Sequence, residues 1–183
     1  TGCDAIRLVL QSGLRPDNCR LIDGVEAPGA DHRPMLVLGF EGSAAMGSLQ
    51  DAALAICVGA GGQLQPTRDA QEWRGAFLQA PYLRDTLVIL GVLAETFETA
   101  VTWDRLDALV ESVRNVAEQA VLAVCGHPGR VTCRLTHVYP DGAAPYFTVL
   151  APVARGEEIA AWDEIKARVG EALLTGGGTI THH

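Results

Sequence analysis

Arg130–Pro152 reads RVTCRLTHVYPDGAAPYFTVLAP. Val131, Cys133 and Leu135 alternate with Thr132, Arg134 and Thr136, so Arg130 to Tyr139 reads as a strand with one packed face and one polar face. Pro140-Asp141-Gly142 supplies a turn, and Tyr146 to Pro152 is a second strand run, which makes the stretch a β-hairpin with a long tip. A strand pair of this kind needs something apolar stacked on one face only.

The flanking sequence supplies that cover. Thr102 reads as the N-cap of a long helix with Asp104 in its first turn, followed at helical spacing by Leu106, Leu109, Val110, Val113, Ala117, Ala120, Val121 and Val124. A second helix opens near Glu157 and Glu158, offers Ile159, Trp162, Ile165, Val169 and Leu173 for burial, and stops at Gly176-Gly177-Gly178. Farther upstream, Ser43 is a candidate N-cap for a helix that aligns Met46, Leu49, Ala53, Ile56 and Cys57 and ends at Gly59, Gly61 and Gly62. Met35 to Phe40 and Ala94 to Val101 add strand runs, while Gln63 to Pro81 reads as a connector or insertion. The order predicts one α+β domain over residues 1–183, a ferredoxin-like antiparallel sheet with its helices packed on one face and the other face polar and partly open.

Composition sets the outer limits. The 183 residues are 48% apolar and 20% charged with mean hydropathy +0.16, enough to build a core and unlike a disordered chain. Fourteen Lys plus Arg against 22 Asp plus Glu gives −8, which argues against nucleic acid as a partner. Cys3, Cys19, Cys57, Cys125 and Cys133 are odd in number, scattered and without a C-x-x-C, so the reading is a reducing, cytoplasmic setting rather than a disulfide framework. No apolar run approaches the ~20 residues of a membrane span. The missing initiator Met and the abrupt end on His182-His183 read as an excised piece.

Common catalytic and phosphate-binding motifs are missing, and Gly59-Ala60-Gly61-Gly62 follows a helix, where it suits chain termination rather than phosphate binding. Arg84, in Pro81-Tyr82-Leu83-Arg84-Asp85, could grip a phosphate or carboxylate with its planar fork, or simply pair with Asp85 at the surface. Tyr146 could serve as an acid or base beside a cation, or be an amphipathic core tyrosine. Glu95 and Glu98 are three apart, which on a strand puts them on opposite faces, so they do not form an acid–base pair. His182-His183 reads either as a tag remnant or as native chain; with no carboxylate or thiolate at ligand spacing, the expectation is no metal.

Four stretches taken in order resemble the C-terminal cap domain of flavin-linked oxidases, and within it the alkyldihydroxyacetonephosphate synthase branch. They are Ile6-Arg7-Leu8; Pro81 to Asp85 with Glu95-Thr96-Phe97-Glu98-Thr99 and Trp103-Asp104-Arg105; Thr132 to Thr136 through Tyr139-Pro140-Asp141-Gly142-Ala143 to Tyr146-Phe147; and Gly176-Gly177 to His182-His183. The resemblance implies that a separate N-terminal domain holds FAD and that this chain lays one sheet face over the flavin to enclose a small-molecule or lipid substrate. It implies exchange of acyl for alkyl on dihydroxyacetone phosphate, an ether-lipid type of chemistry without net redox change. By the same resemblance Arg84 binds substrate, Tyr146 gives or takes a proton, and His182 and His183 are the first two members of a catalytic histidine triplet. The third histidine and the FAD domain are absent here, so the isolated chain is expected to be inactive. The partners implied are the enzyme's own FAD domain and a possible second copy. Two alternatives stand beside this reading. One is an FAD-linked oxidoreductase of a 2-hydroxy acid or related alcohol, although Gly126-His127-Pro128-Gly129-Arg130 departs from that branch's histidine motif. The other is a stand-alone α+β module for small-molecule binding or dimerisation.

Overall fold

The computed structural model describes residues 1–27, 32–42 and 46–180. Its elements follow the chain as α1 (Gly2–Gln11), β1 (Asn18–Ile22), β2 (Met35–Gly39), α2 (Met46–Gly59), α3 (Thr67–Ile89), β3 (Val92–Glu98), β4 (Val101–Thr102), α4 (Trp103–Cys125), β5 (Arg130–Val138), β6 (Gly142–Pro152) and α5 (Glu158–Thr175). The strands form one antiparallel sheet in the order β2-β1-β5-β6-β3, with the short β4 also pairing β6. The fold is α+β, as the alternation in the hairpin requires.

The core lies between the sheet and α1, α4 and α5. Phe147, Val149 and Ala151 of β6, Val131 and Leu135 of β5 and Phe97 of β3 meet Leu109, Val113, Ala117 and Val121 of α4 and Ile165, Val169 and Leu173 of α5. The rings of Phe97 and Phe147 stack with centroids 4.9 Å apart. Each large side chain so buried stabilises the fold by roughly 1.5–3 kcal/mol. At the end of α4, Gly126 takes the left-handed conformation, φ 74°, that terminates a helix without a Cβ clash.

Several expectations are corrected. The hairpin tip is short: β6 begins at Gly142, whose carbonyl accepts from the Tyr139 N–H at 2.8 Å. Gly142 is needed there because a Cβ would lie 2.3 Å from the Val101 carbonyl of the antiparallel neighbour β4. Gln63 to Pro81 is largely helix: α3 runs through Pro81 for 23 residues, with only Trp73 buried. A mixed polar and apolar surface without a clear stripe left it illegible. On α5 the buried line is Ala161, Ile165, Val169 and Leu173, whereas Ile159 is 73% exposed and Trp162 lies at the margin. The small Ala161 permits the close approach, and the bulkier neighbours are turned outward. Helix α1, opened by the Thr1–Asp4 capping box, and strand β1 add two elements to those the sequence pattern predicts. The candidate cap Ser43 lies outside the described residues.

Candidate functional site on the polar face of the sheet

Cross-strand register decides which side chains share the face opposite the core. In β6, Tyr146 and Thr148 alternate with the buried Phe147 and Val149. Tyr146 stands opposite Arg134 of β5 on one side and Glu98 of β3 on the other, and Thr148 stands likewise between Thr132 and Thr96. The polar residues of three strands are thus collected into two adjacent rows.

These rows are tied together. The Arg134 guanidinium carbon sits 4.4 Å from the centroid of the Tyr146 ring, and Arg134 Nη1 donates to Glu26 Oε2 at 3.0 Å. Glu26 Oε1 accepts from the Thr132 hydroxyl. Glu98 Oε1 accepts from Thr136 Oγ1 at 2.8 Å and lies 3.3 Å from His137 Nδ1. Glu26 reaches the sheet because the turn after β1 is pinned: Asp23 accepts from the Val25 N–H at 2.9 Å, from Arg114 Nη2 at 3.0 Å and from the Cys133 N–H at 3.2 Å. Burial pushes the Asp23 carboxyl up, but these three donors outweigh it and hold the group below the usual aspartate range.

Glu95 lies on the other face, as its three-residue offset from Glu98 requires. It accepts from Lys166 Nζ and from the Trp162 indole N–H, both on α5, and is therefore a structural anion rather than part of the polar rows. Arg84 projects from α3 with 64% of its side chain exposed and makes a loose pair with Asp85 at 4.0 Å. Helix α3 approaches the polar face of β1 farther upstream, where the Arg20 guanidinium lies 5.6 Å from the Trp73 ring and 5.4 Å from the Phe77 ring. His182 and His183 lie outside the described residues. The segment that leads to them is anchored: the fully buried Thr99 donates from Oγ1 to the Thr179 carbonyl at 2.7 Å.

Two clefts open elsewhere. One of ≈ 300 Å³ lies between α1, α4 and the sheet, with Cys3, Leu106, Val110 and Cys133 in its wall. The other, ≈ 190 Å³, lies between β3 and α5 beside Phe97, Glu98 and Lys166. Burial pushes up the thiols of Cys3, Cys19, Cys57, Cys125 and Cys133, which suits packing rather than nucleophilic chemistry. Among the described residues no group of three or more His, Cys, Asp or Glu could hold a metal ion, and no helix is long and apolar enough to cross a membrane.

Sequence reasoning singled out Tyr146 but not Glu26 or the use of Arg134. Beside the turn Val138 pairs with Ala143 and His137 with Ala144, and the register shift between Leu135 and His137 is what brings Arg134 opposite Tyr146, so the hairpin sequence alone did not give that pairing. Glu26 comes from a distant turn and had no local signal either.

The family described as FAD linked oxidases, C-terminal domain, matches residues 1–183, the whole chain. The chain is 36% identical over 105 residues to an alkyldihydroxyacetonephosphate synthase of Caenorhabditis elegans, an alignment covering 56% of this chain and 17% of that protein. It is 25% identical over 117 residues to the synthase of Dictyostelium discoideum, covering 61% and 18%. Two solved structures of alkyldihydroxyacetonephosphate synthase share its fold at 18% identity: one with TM-score 0.80 over 97% of this chain and 38% of that one, the other with 0.76 over 96% and 36%. The aligned stretches span under a fifth of the curated relatives, and the matched fold well under half of the solved chains.

Proposed function

The chain belongs to the FAD-linked oxidase C-terminal domain family, and on that premise we propose that it is the substrate-capping part of a larger FAD-dependent enzyme of the alkyldihydroxyacetonephosphate synthase kind. The observation that carries the proposal is the division of the sheet: one face is sealed by α1, α4 and α5, while the other presents Tyr146 among Arg134, Glu26 and Glu98. Over β5, β6 and β3 that second face is polar and organised, which suits the roof of a reaction chamber.

The described residues fit such a roof and do not fit a dinucleotide holder. The glycine-rich turn at Gly59–Gly62 closes α2, with the Gly62 N–H donating to the Cys57 carbonyl at 2.9 Å, so it offers no helix N-terminus to a pyrophosphate. At ≈ 300 and ≈ 190 Å³ neither cleft has the room to enclose FAD. In this proposal FAD is held mainly by another domain of the longer protein, and the isolated chain neither retains it nor turns over. Once bound there, FAD supplies the reactive ring that a side chain cannot provide.

This chain's residues supply binding and proton movement. The Arg84 fork grips the phosphate of a dihydroxyacetone phosphate ester. The Tyr146 hydroxyl, with the imidazoles of His182 and His183, gives or takes the proton as the acyl group leaves and a fatty alcohol takes its place. Cytoplasmic residence is part of the same reading, since five free cysteines suit a reducing compartment. The test uses the full-length flavoprotein with acyl-dihydroxyacetone phosphate and a labelled fatty alcohol. Label incorporated into the product, with the flavin left oxidised at the end, is expected. Failure to exchange, together with flavin bleaching by a 2-hydroxy acid, would replace the transferase reading with an oxidoreductase one.

A further inference from the structure

We propose that Arg134 is the positioning residue for Tyr146: its guanidinium clamps one face of the phenol ring so that the hydroxyl meets substrate in a single orientation. The inference rests on the reading of Tyr146 as the proton-moving group and extends it to a residue that need not touch substrate.

Among the described residues, the 4.4 Å approach of Arg134 to Tyr146 is the closest of the cation–ring contacts; those of Arg20 and Lys166 are between 5.4 and 5.6 Å. A guanidinium lying over a ring is attracted by the ring's negative face and covers it with a plane. Arg134 can hold that pose because it is fixed at two levels. Its backbone is locked opposite Tyr146 by the β5–β6 register. Its head is held by Glu26 at 3.0 Å, with only 19% and 18% of the two side chains exposed. Glu26 is in turn bonded to Thr132, and its turn is fixed through Asp23 to Arg114 and the Cys133 N–H. This differs from an ordinary surface pair such as Arg168–Glu164, where both partners are about half exposed. The network has a chain of supports and reaches a ring whose own strand position does not fix its rotamer.

Lysine cannot reproduce the clamp, because an ammonium is a point charge without a plane. Misplacement of a reacting group by about 1 Å can cost up to about a hundredfold in rate. In the full-length flavoenzyme, Arg134→Met is therefore expected to lower kcat by about tenfold or more with KM changed less than about twofold. Arg134→Lys should recover only part of the loss. Added to Tyr146→Phe, Arg134→Met should cost nothing further, because it acts through the missing hydroxyl. If Arg134→Met instead raises KM with kcat intact, or multiplies the defect of Tyr146→Phe, the positioning role is overturned.

A second readout needs no turnover. In the full-length flavoprotein labelled with 3-fluorotyrosine, the resonance that disappears in Tyr146→Phe identifies the Tyr146 ring. Its fluorine resonance should shift or broaden in Arg134→Met and, less so, in Glu26→Gln, with the circular dichroism unchanged. An unmoved resonance in both folded variants would overturn the clamp. Should Arg134→Met not fold, Glu26→Gln serves as the test alone. Full activity in Tyr146→Phe would sink the functional reading, while the resonance would still report on the clamp.

Discussion

Asp23 shows how one side chain can hold a site it does not touch. It collects Arg114 from α4, the Cys133 N–H from β5 and the Val25 N–H of its own turn, and thereby delivers Glu26 to Arg134. Its folded-state pKa is depressed, so its contribution is present above the unfolded value near ~3.9 and is lost as the pH falls through the folded value. Asp23→Asn should cost about 2 kcal/mol at pH 7, as expected for hydrogen bonds to a charged group. Urea titrations of the two proteins across pH 2 to 7 should show that gap narrowing below about pH 4. A gap that stays constant with pH would mean that the carboxylate's charge is not what binds the turn. The alternation in β5 exposed Arg134 to sequence reasoning, but Asp23 and Glu26 act across about a hundred residues of separation, and no local pattern encodes that.

At the scale of elements, legibility followed the strength of the apolar period. Helix α4 reads correctly because Leu106, Leu109, Val113, Ala117, Ala120 and Val121 form an unbroken stripe, all buried. In α5 two stripes competed, and the smaller residue won: Ala161 faces the core and Ile159 faces out. Helix α3 had no stripe, contains Pro81, and buries only Trp73, so its sequence reads as a connector although its backbone is helical. The rotation of α5 has a direct consequence. Ile165→Ala should destabilise the chain by roughly 2–5 kcal/mol through the cavity it leaves, whereas Ile159→Ala should stay within about 0.5 kcal/mol. Chemical denaturation of both variants checks this, and comparable losses would place Ile159 in the core after all.

For the whole molecule, the decisive property is that a single sheet separates a sealed apolar side from a polar side organised around Tyr146. The fold was legible because a hairpin with one polar face and two flanking amphipathic helices admits few other arrangements. The site was legible only in part: Tyr146 falls within the polar rows, Arg84 stands on an exposed helix beside Asp85, and His182 and His183 lie outside the described residues. The most direct measurement is turnover of Tyr146→Phe in the full-length flavoenzyme, with bound FAD quantified in the same preparation. FAD content equal to the parent and a fall in kcat of about a hundredfold or more are predicted, in line with the usual worth of a general acid or base. Turnover within about twofold of the parent, with FAD fully bound, would contradict the assignment of the polar face as the chemical one.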